Sequence, residues 1–319
     1  MLVLGASGTI GRATVTALLE RKHDVVCIVR SKTSLPMGPD DLGGMTVRVG
    51  DPTDPEWLTR AGIGGERFDA IVSCLASRTG SPADAWAIDH AAHMGALEAA
   101  QRAQIRHFIL LSAICVQKPL LEFQRAKLAF EEALVRSGIT YSIVRPTAFF
   151  KSLSGQVDRV RRGKPFLVFG DGTLTSCKPI SDHDLGCFLA DCVQDETRHN
   201  RILPIGGPGP AITPRQQGEA LFAILRREPR FRPVPVKLLD VIIAVLQMLG
   251  HVSPRLAEKA ELARIGRYYA TESMLVLDPA TGQYDADATP STGGETLFDY
   301  YRQLIDRDET VDLGDHAVF

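Results

Sequence analysis

Along the first half of the chain, short apolar runs at residues 1–4, 25–29, 45–49, 70–75, 108–111 and 141–144 alternate with longer stretches of helical pattern at 12–21, 86–103 and 123–137. Runs of that length read as strands, and the stretches between them are long enough for helical crossovers between parallel strands. The pattern predicts an α/β fold, a doubly wound parallel sheet of Rossmann type over residues 1–150, with right-handed connections. After residue 150 the regularity fades, and Gly and Pro gather at 163–165, 170–172 and 206–210 as they do in loops. Residues 151–319 are therefore assigned to a smaller, mixed substrate-binding region with a C-terminal tail. Its last stretch, 306–315, carries five acids and is expected to fray in solvent.

Composition narrows the partners. The 319 residues allow about two domains, and 45% apolar with 23% charged residues is ordinary for a globular chain. Lys and Arg number 36 against 38 Asp and Glu, a net charge of −2, so no global field draws the molecule to nucleic acid. A small, cofactor-sized partner is expected instead. Cys27, Cys74, Cys115, Cys177, Cys187 and Cys192 form no CxxC pair, which points to reduced thiols and to neither zinc nor an iron–sulfur cluster. No basic, apolar leader precedes the first strand. The most apolar segment, 236–249, is broken by Lys237, Asp240 and Gln247 and falls short of the roughly 20 residues a span requires. A cytoplasmic protein without a transmembrane segment is the expectation, with peripheral membrane contact left open.

The chemistry begins at Gly5, Ala6, Ser7, Gly8, Thr9, Ile10, Gly11, a GxxGxxG loop between the first strand and the first helix. Gly5 permits the tight turn, Gly8 lets the backbone approach a pyrophosphate, and Gly11 allows close packing, while the helix start supplies free N–H groups. About 20 residues further on, an NAD site places an acid to hold the ribose 2′-hydroxyl. This chain has Arg30, Ser31 and Lys32 there, so the charge balance selects NADPH through the 2′-phosphate, unless Arg30 is merely a solvated strand end. Asp51 after the third strand and Ala76 and Ser77 after the fourth fall where such sheets hold adenine and ribose. Asp51 reads equally as the N-cap of a helix over 56–60. Ser112 ends the fifth strand and joins the cofactor-binding set. In the following helix Lys127 shares one stripe with Phe123, Phe130 and Leu134, which either gives it a binding role or lets it snorkel along its stem to water.

With the glycine loop, Arg30, Ser112 and Lys127 in place, the first two hundred residues resemble the extended and atypical short-chain dehydrogenases, in the branch of isoflavone-reductase-like and NmrA-like proteins. The departure is at the family's Tyr-x-x-x-Lys pattern, where Phe123 stands at the tyrosine position and Lys127 at the lysine position. The tail, with 267–274, 284–290 and 296–301, is similar to the nicotinamide-dependent divinyl chlorophyllide 8-vinyl reductases. The resemblance implies NADPH-dependent reduction of a tetrapyrrole vinyl group to ethyl, in chlorophyll or bacteriochlorophyll synthesis. It implies Lys127 as the catalytic residue, set on the nicotinamide ribose and able to relay a proton, with Tyr268 or Tyr269 as other donors or as core residues. The apolar face of 236–249 either covers the pigment or packs on the core. The rival from another class is an NADP-binding redox sensor or assembly factor of NmrA type, supported by Phe123. The enzyme rival is an isoflavone- or quinone-type reductase.

Overall fold

The computed structural model describes residues 1–31, 44–250 and 253–309. Its centre is a parallel sheet of seven strands: β1 (Leu2–Leu4), β2 (Val25–Val29), β3 (Met45–Val49), β4 (Ala70–Ser73), β5 (His107–Leu111), β6 (Thr140–Pro146) and β8 (Arg201–Ile205). They lie in the order β3-β2-β1-β4-β5-β6-β8. β1 pairs with both β2 and β4, so the connections reverse direction beside it and open a crevice at the carboxyl ends of the strands.

The apolar runs explain the layering. Successive strand residues face opposite sides, and in β1 Val3 joins the core on one face while Leu2 and Leu4 join the core on the other, all three at 0% exposure. At roughly 1.5 to 3 kcal/mol for each such side chain, the two cores fix which face every strand presents. Helix Thr9–Glu20 covers the first core and helix Glu122–Arg136, through Phe130 and Leu134, covers the second.

The predicted boundary at residue 150 requires correction. β8 pairs in register with β6, Ser142 against Arg201 through Pro146 against Ile205. Helix Asp182–Asp191 packs on helix Thr9–Glu20 so closely that a Cβ on Gly186 would lie 2.6 Å from the Ala13 carbonyl carbon. Both elements belong to the nucleotide-binding layers although they lie beyond residue 150.

The smaller region is built around Phe150, Phe166, Leu221, Phe222, Leu297 and Tyr301. There β7 (Phe166–Phe169) pairs with β9 (Phe231–Val234), flanked by helices Pro214–Ile224 and Leu297–Asp306. The apolar 236–249 segment forms helix Val236–Gly250, which packs on helix Pro254–Thr271 and pairs Asp240 with Arg267. In this helix Ile243 is buried, whereas Leu238, Val241, Ile242, Val245, Met248 and Leu249 are exposed. One face of the segment therefore packs on helix Pro254–Thr271 while the other is left exposed. Among the described residues no helix is long and apolar enough to cross a membrane. Lys32 and the acid-rich end beyond Glu309 lie outside the described residues.

Candidate functional site

The glycine loop has the shape its spacing predicts. Gly5 has φ +74°, and a Cβ there would meet the Cys74 carbonyl carbon at 2.6 Å, so the turn is pressed against the end of β4. A Cβ on Gly11 would lie 2.1 Å from Gly5 O, which makes the loop-to-helix approach specific to glycine. Gly8 is the helix N-cap and exposed, with no side chain capping it and no acid in the first turn. The amides of Thr9, Ile10 and Gly11 precede the first bond of the helix, Arg12 N–H to Gly8 O at 2.9 Å. Those amides and the positive end of the helix dipole form a cradle suited to a phosphate. Ile10 contributes only its backbone, because its side chain is buried in the first core.

A basic residue overlooked by the motif completes this corner. Arg12 folds back and donates from Nη1 to Ser7 O at 2.9 Å, placing a guanidinium on the loop itself. The sequence signal was a cation directly after the third glycine.

At the neighbouring strand ends, Arg30 is exposed just beyond β2. Asp51 follows β3, and its Oδ1 accepts from Thr53 N–H at 2.9 Å and from Thr53 Oγ1 at 2.7 Å. The N-cap alternative for Asp51 is overturned, since Asp54 caps the helix at Pro55–Trp57 by accepting from Glu56 and Trp57. Ala76 is exposed three residues past β4, whereas Ser77 beside it turns inward and is buried.

Lys127 does not snorkel. Its side chain is 11% exposed, and Nζ donates to Asp89 Oδ1 at 2.9 Å, with the Asp89 side chain at 0%. Ser77 Oγ donates to Asp89 Oδ2 at 2.6 Å and Ser77 N–H to Oδ1 at 3.2 Å, so the carboxylate ties the lysine to the loop after β4. Asp89 sits on a π-helical stretch, Trp86–Ala92, a wide turn of the sort that often marks a functional position. One turn on, His93 contacts Ser73 Oγ through Nε2 at 2.9 Å, and burial, followed by the Lys127 ammonium, pushes its pKa down to about 4. The ring is therefore neutral at pH 7, and Lys127 is the cation of the pair.

Ser112 faces a buried carboxylate. Its hydroxyl donates to Glu131 Oε1, and Glu131 is held by Arg145, whose Nε lies 3.2 Å from each carboxylate oxygen. A buried carboxylate needs such donors, so the Ser112 hydroxyl supports an ion pair between helix and sheet. Phe123 packs in an apolar cluster with Cys115, Ile265, Tyr268 and Met274. In it Tyr268 is buried and donates to Cys115 O at 2.9 Å, and burial raises its pKa. That is the core role the sequence allowed for it. Tyr269 is 40% exposed. Nearby, Glu272 Oε2 accepts from Lys118 Nζ at 2.7 Å and from Tyr284 at 2.8 Å, which anchors the C-terminal segment to the loop after β5.

The fold and the glycine cradle together define an NAD(P)H-binding α/β protein, and residues 5–196 match the NAD(P)H-binding family. The chain is 49% identical to the chloroplastic divinyl chlorophyllide a 8-vinyl-reductase of Arabidopsis thaliana, over 96% of its own length and 76% of that protein's. It is 50% identical to the corresponding Oryza sativa subsp. indica protein, over 100% of its own length and 82% of that protein's. It belongs to the divinyl chlorophyllide a 8-vinyl-reductase family. Among solved structures, the NADPH-dependent quinone oxidoreductase of Escherichia coli complexed with NADPH is similar at TM-score 0.67, covering 95% of this chain and 99% of that one. Its 17% identity makes this a likeness of fold.

Proposed function

We propose that this protein reduces the 8-vinyl group of a 3,8-divinyl (proto)chlorophyllide a to ethyl with NADPH. The observation that carries the reading is the identity of about half the residues to the Arabidopsis and rice reductases across nearly the whole chain. The match takes in the C-terminal segment that a dinucleotide-binding domain alone has no need of.

The residues fit the cofactor. The amides of Thr9, Ile10 and Gly11 with Arg12 would hold the pyrophosphate, Arg30 the 2′-phosphate, and Lys127 the nicotinamide ribose. Bound NADPH supplies a hydride. Addition to the terminal vinyl carbon leaves charge that the conjugated macrocycle can spread, so the protein chiefly has to align donor and acceptor. That lowers the demand for a strong acid and accommodates Phe123, which packs with apolar neighbours and offers no proton.

The test is direct. Purified protein with NADPH, and no flavin or ferredoxin, should convert divinyl chlorophyllide a to its 8-ethyl product, read by a Soret shift and a mass gain of H2. Tight NADPH binding with an unchanged spectrum and mass would turn the reading toward a sensor or another reductase.

A further inference from the structure

We infer that Asp89 is the positioning residue of the cofactor site, fixing the Lys127 ammonium and the loop after β4 as one unit before the dinucleotide arrives. The inference rests on the reading of Lys127 as the nicotinamide-ribose residue. Asp89 is fully buried, and its two oxygens take three hydrogen bonds. One partner is Lys127 and the other two are the amide and hydroxyl of Ser77.

The arrangement does more than neutralise a charge. A lysine stem has four rotatable bonds, and on an apolar helix face nothing else would hold its ammonium at one point. Among the described residues Asp89 is the hydrogen-bond partner of the ammonium, so two of its three N–H donors are available to a ligand. Ser77 follows Ala76 past the carboxyl end of β4, and Cys74, the residue directly after that strand, has its carbonyl against the glycine turn at Gly5. Through a single carboxylate, the lysine, the β4 loop and, at one remove, the phosphate loop keep a common geometry. Such preorganisation strengthens binding because the ordering is complete in the free protein. His93 and the buried Cys115 thiol also feel the Lys127 ammonium, but burial keeps both uncharged at pH 7, which leaves Asp89 as the charge paired with it.

The test is a double-mutant cycle on NADPH affinity, measured by NADPH fluorescence on the full chain with a melting curve for each variant. Asp89→Asn, close in shape, is expected to weaken NADPH about tenfold, and in a Lys127→Met background to weaken it no further. A purely structural Asp89 would lower Tm and leave affinity within about twofold in the folded protein, or its loss would add fully to that of Lys127→Met. Either result overturns the inference. Should Asp89→Asn not fold, Ser77→Ala keeps the ion pair but frees Oδ2. It is expected to weaken NADPH about threefold, an effect absent in the Lys127→Met background, and unchanged affinity counts against the coupling. If Lys127→Met alone binds NADPH like the parent, the underlying reading of Lys127 fails. If Lys127→Met loses affinity and Asp89→Asn does not, the reading survives and the role of Asp89 falls.

Discussion

The glycine loop and the Lys127 pocket meet at the end of β4, yet they are built in opposite ways. The loop is made by seven consecutive residues whose meaning is steric, since a Cβ at Gly5 or Gly11 has no room. The pocket is made by side chains 12 and 38 residues apart, Ser77 to Asp89 and Asp89 to Lys127, whose meaning is electrostatic. The first tolerates no added atom. The second tolerates no missing charge, because a carboxylate at 0% exposure has no water to replace its partner. A backbone site can be read from spacing, while a side-chain site is defined by which distant residues the fold brings together.

The largest expected effect comes from breaking the pocket. Lys127→Ala leaves Asp89 buried without a cation and is expected to cost about 3 to 5 kcal/mol of stability by urea unfolding. NADPH affinity should fall as well. Stability lost with affinity unchanged would reduce the pocket to a structural ion pair and confine binding to the loop.

How much was legible follows the same division. All six predicted strands are present, and helix Glu122–Arg136 lies within one residue of its predicted span, because each is written in a local period. β8 escaped notice because it is an edge strand with exposed Arg201 and Ile202 and carries Pro204, whose missing N–H only an edge accepts. In the site, the loop glycines and the burial of Lys127 on its stripe were readable. The partners were not, because Asp89, Glu131 and Arg145 look like surface charges until the fold pairs them. Arg12 is legible too, as a cation placed directly after the third glycine of the loop.

A second effect tests the buried polar interior. Burial holds both His93 and His107 at about 4, with Lys127 adding to the first and His199 to the second. Their folded pKa lies below the unfolded 6.5, so between those values the unfolded chain binds more protons. Stability must therefore fall as pH falls from about 6.5 to 4 and level off below, by on the order of 3 kcal/mol for each ring. His93→Gln and His107→Gln should each flatten urea midpoints measured from pH 7 to pH 4. Variants as acid-sensitive as the parent would mean that the rings are charged in the folded state.

The next effect belongs to the local side of the comparison. Arg30→Ala is expected to weaken NADPH by about 2 kcal/mol and to leave NADH unchanged, since on the proposed reading it would remove a charge-assisted hydrogen bond to the 2′-phosphate that NADH lacks. Arg30 is exposed, so melting should not move. Equal losses for the two cofactors would place the discrimination elsewhere.

The smallest effect asks whether the C-terminal segment supplies chemistry or only framework. Tyr268 donates to Cys115 O from a buried position beside Phe123, the residue at which the expected phenol is missing. If that hydrogen bond is what the phenol is for, Tyr268→Phe removes one of two donors to Cys115 O, leaving the Lys118 N–H at 3.3 Å, and costs about 1 kcal/mol. The ring stays, so the cluster with Ile265 and Met274 keeps its packing and turnover of divinyl chlorophyllide stays within about twofold. Should Tyr268 instead deliver the proton that completes the ethyl group, turnover would drop by about a hundredfold or more with NADPH affinity untouched. Turnover and melting temperature measured on this one variant therefore separate the two roles. A collapse in turnover would make the C-terminal segment, like the Lys127 pocket, a place where distant residues meet to form chemistry that no local motif announces.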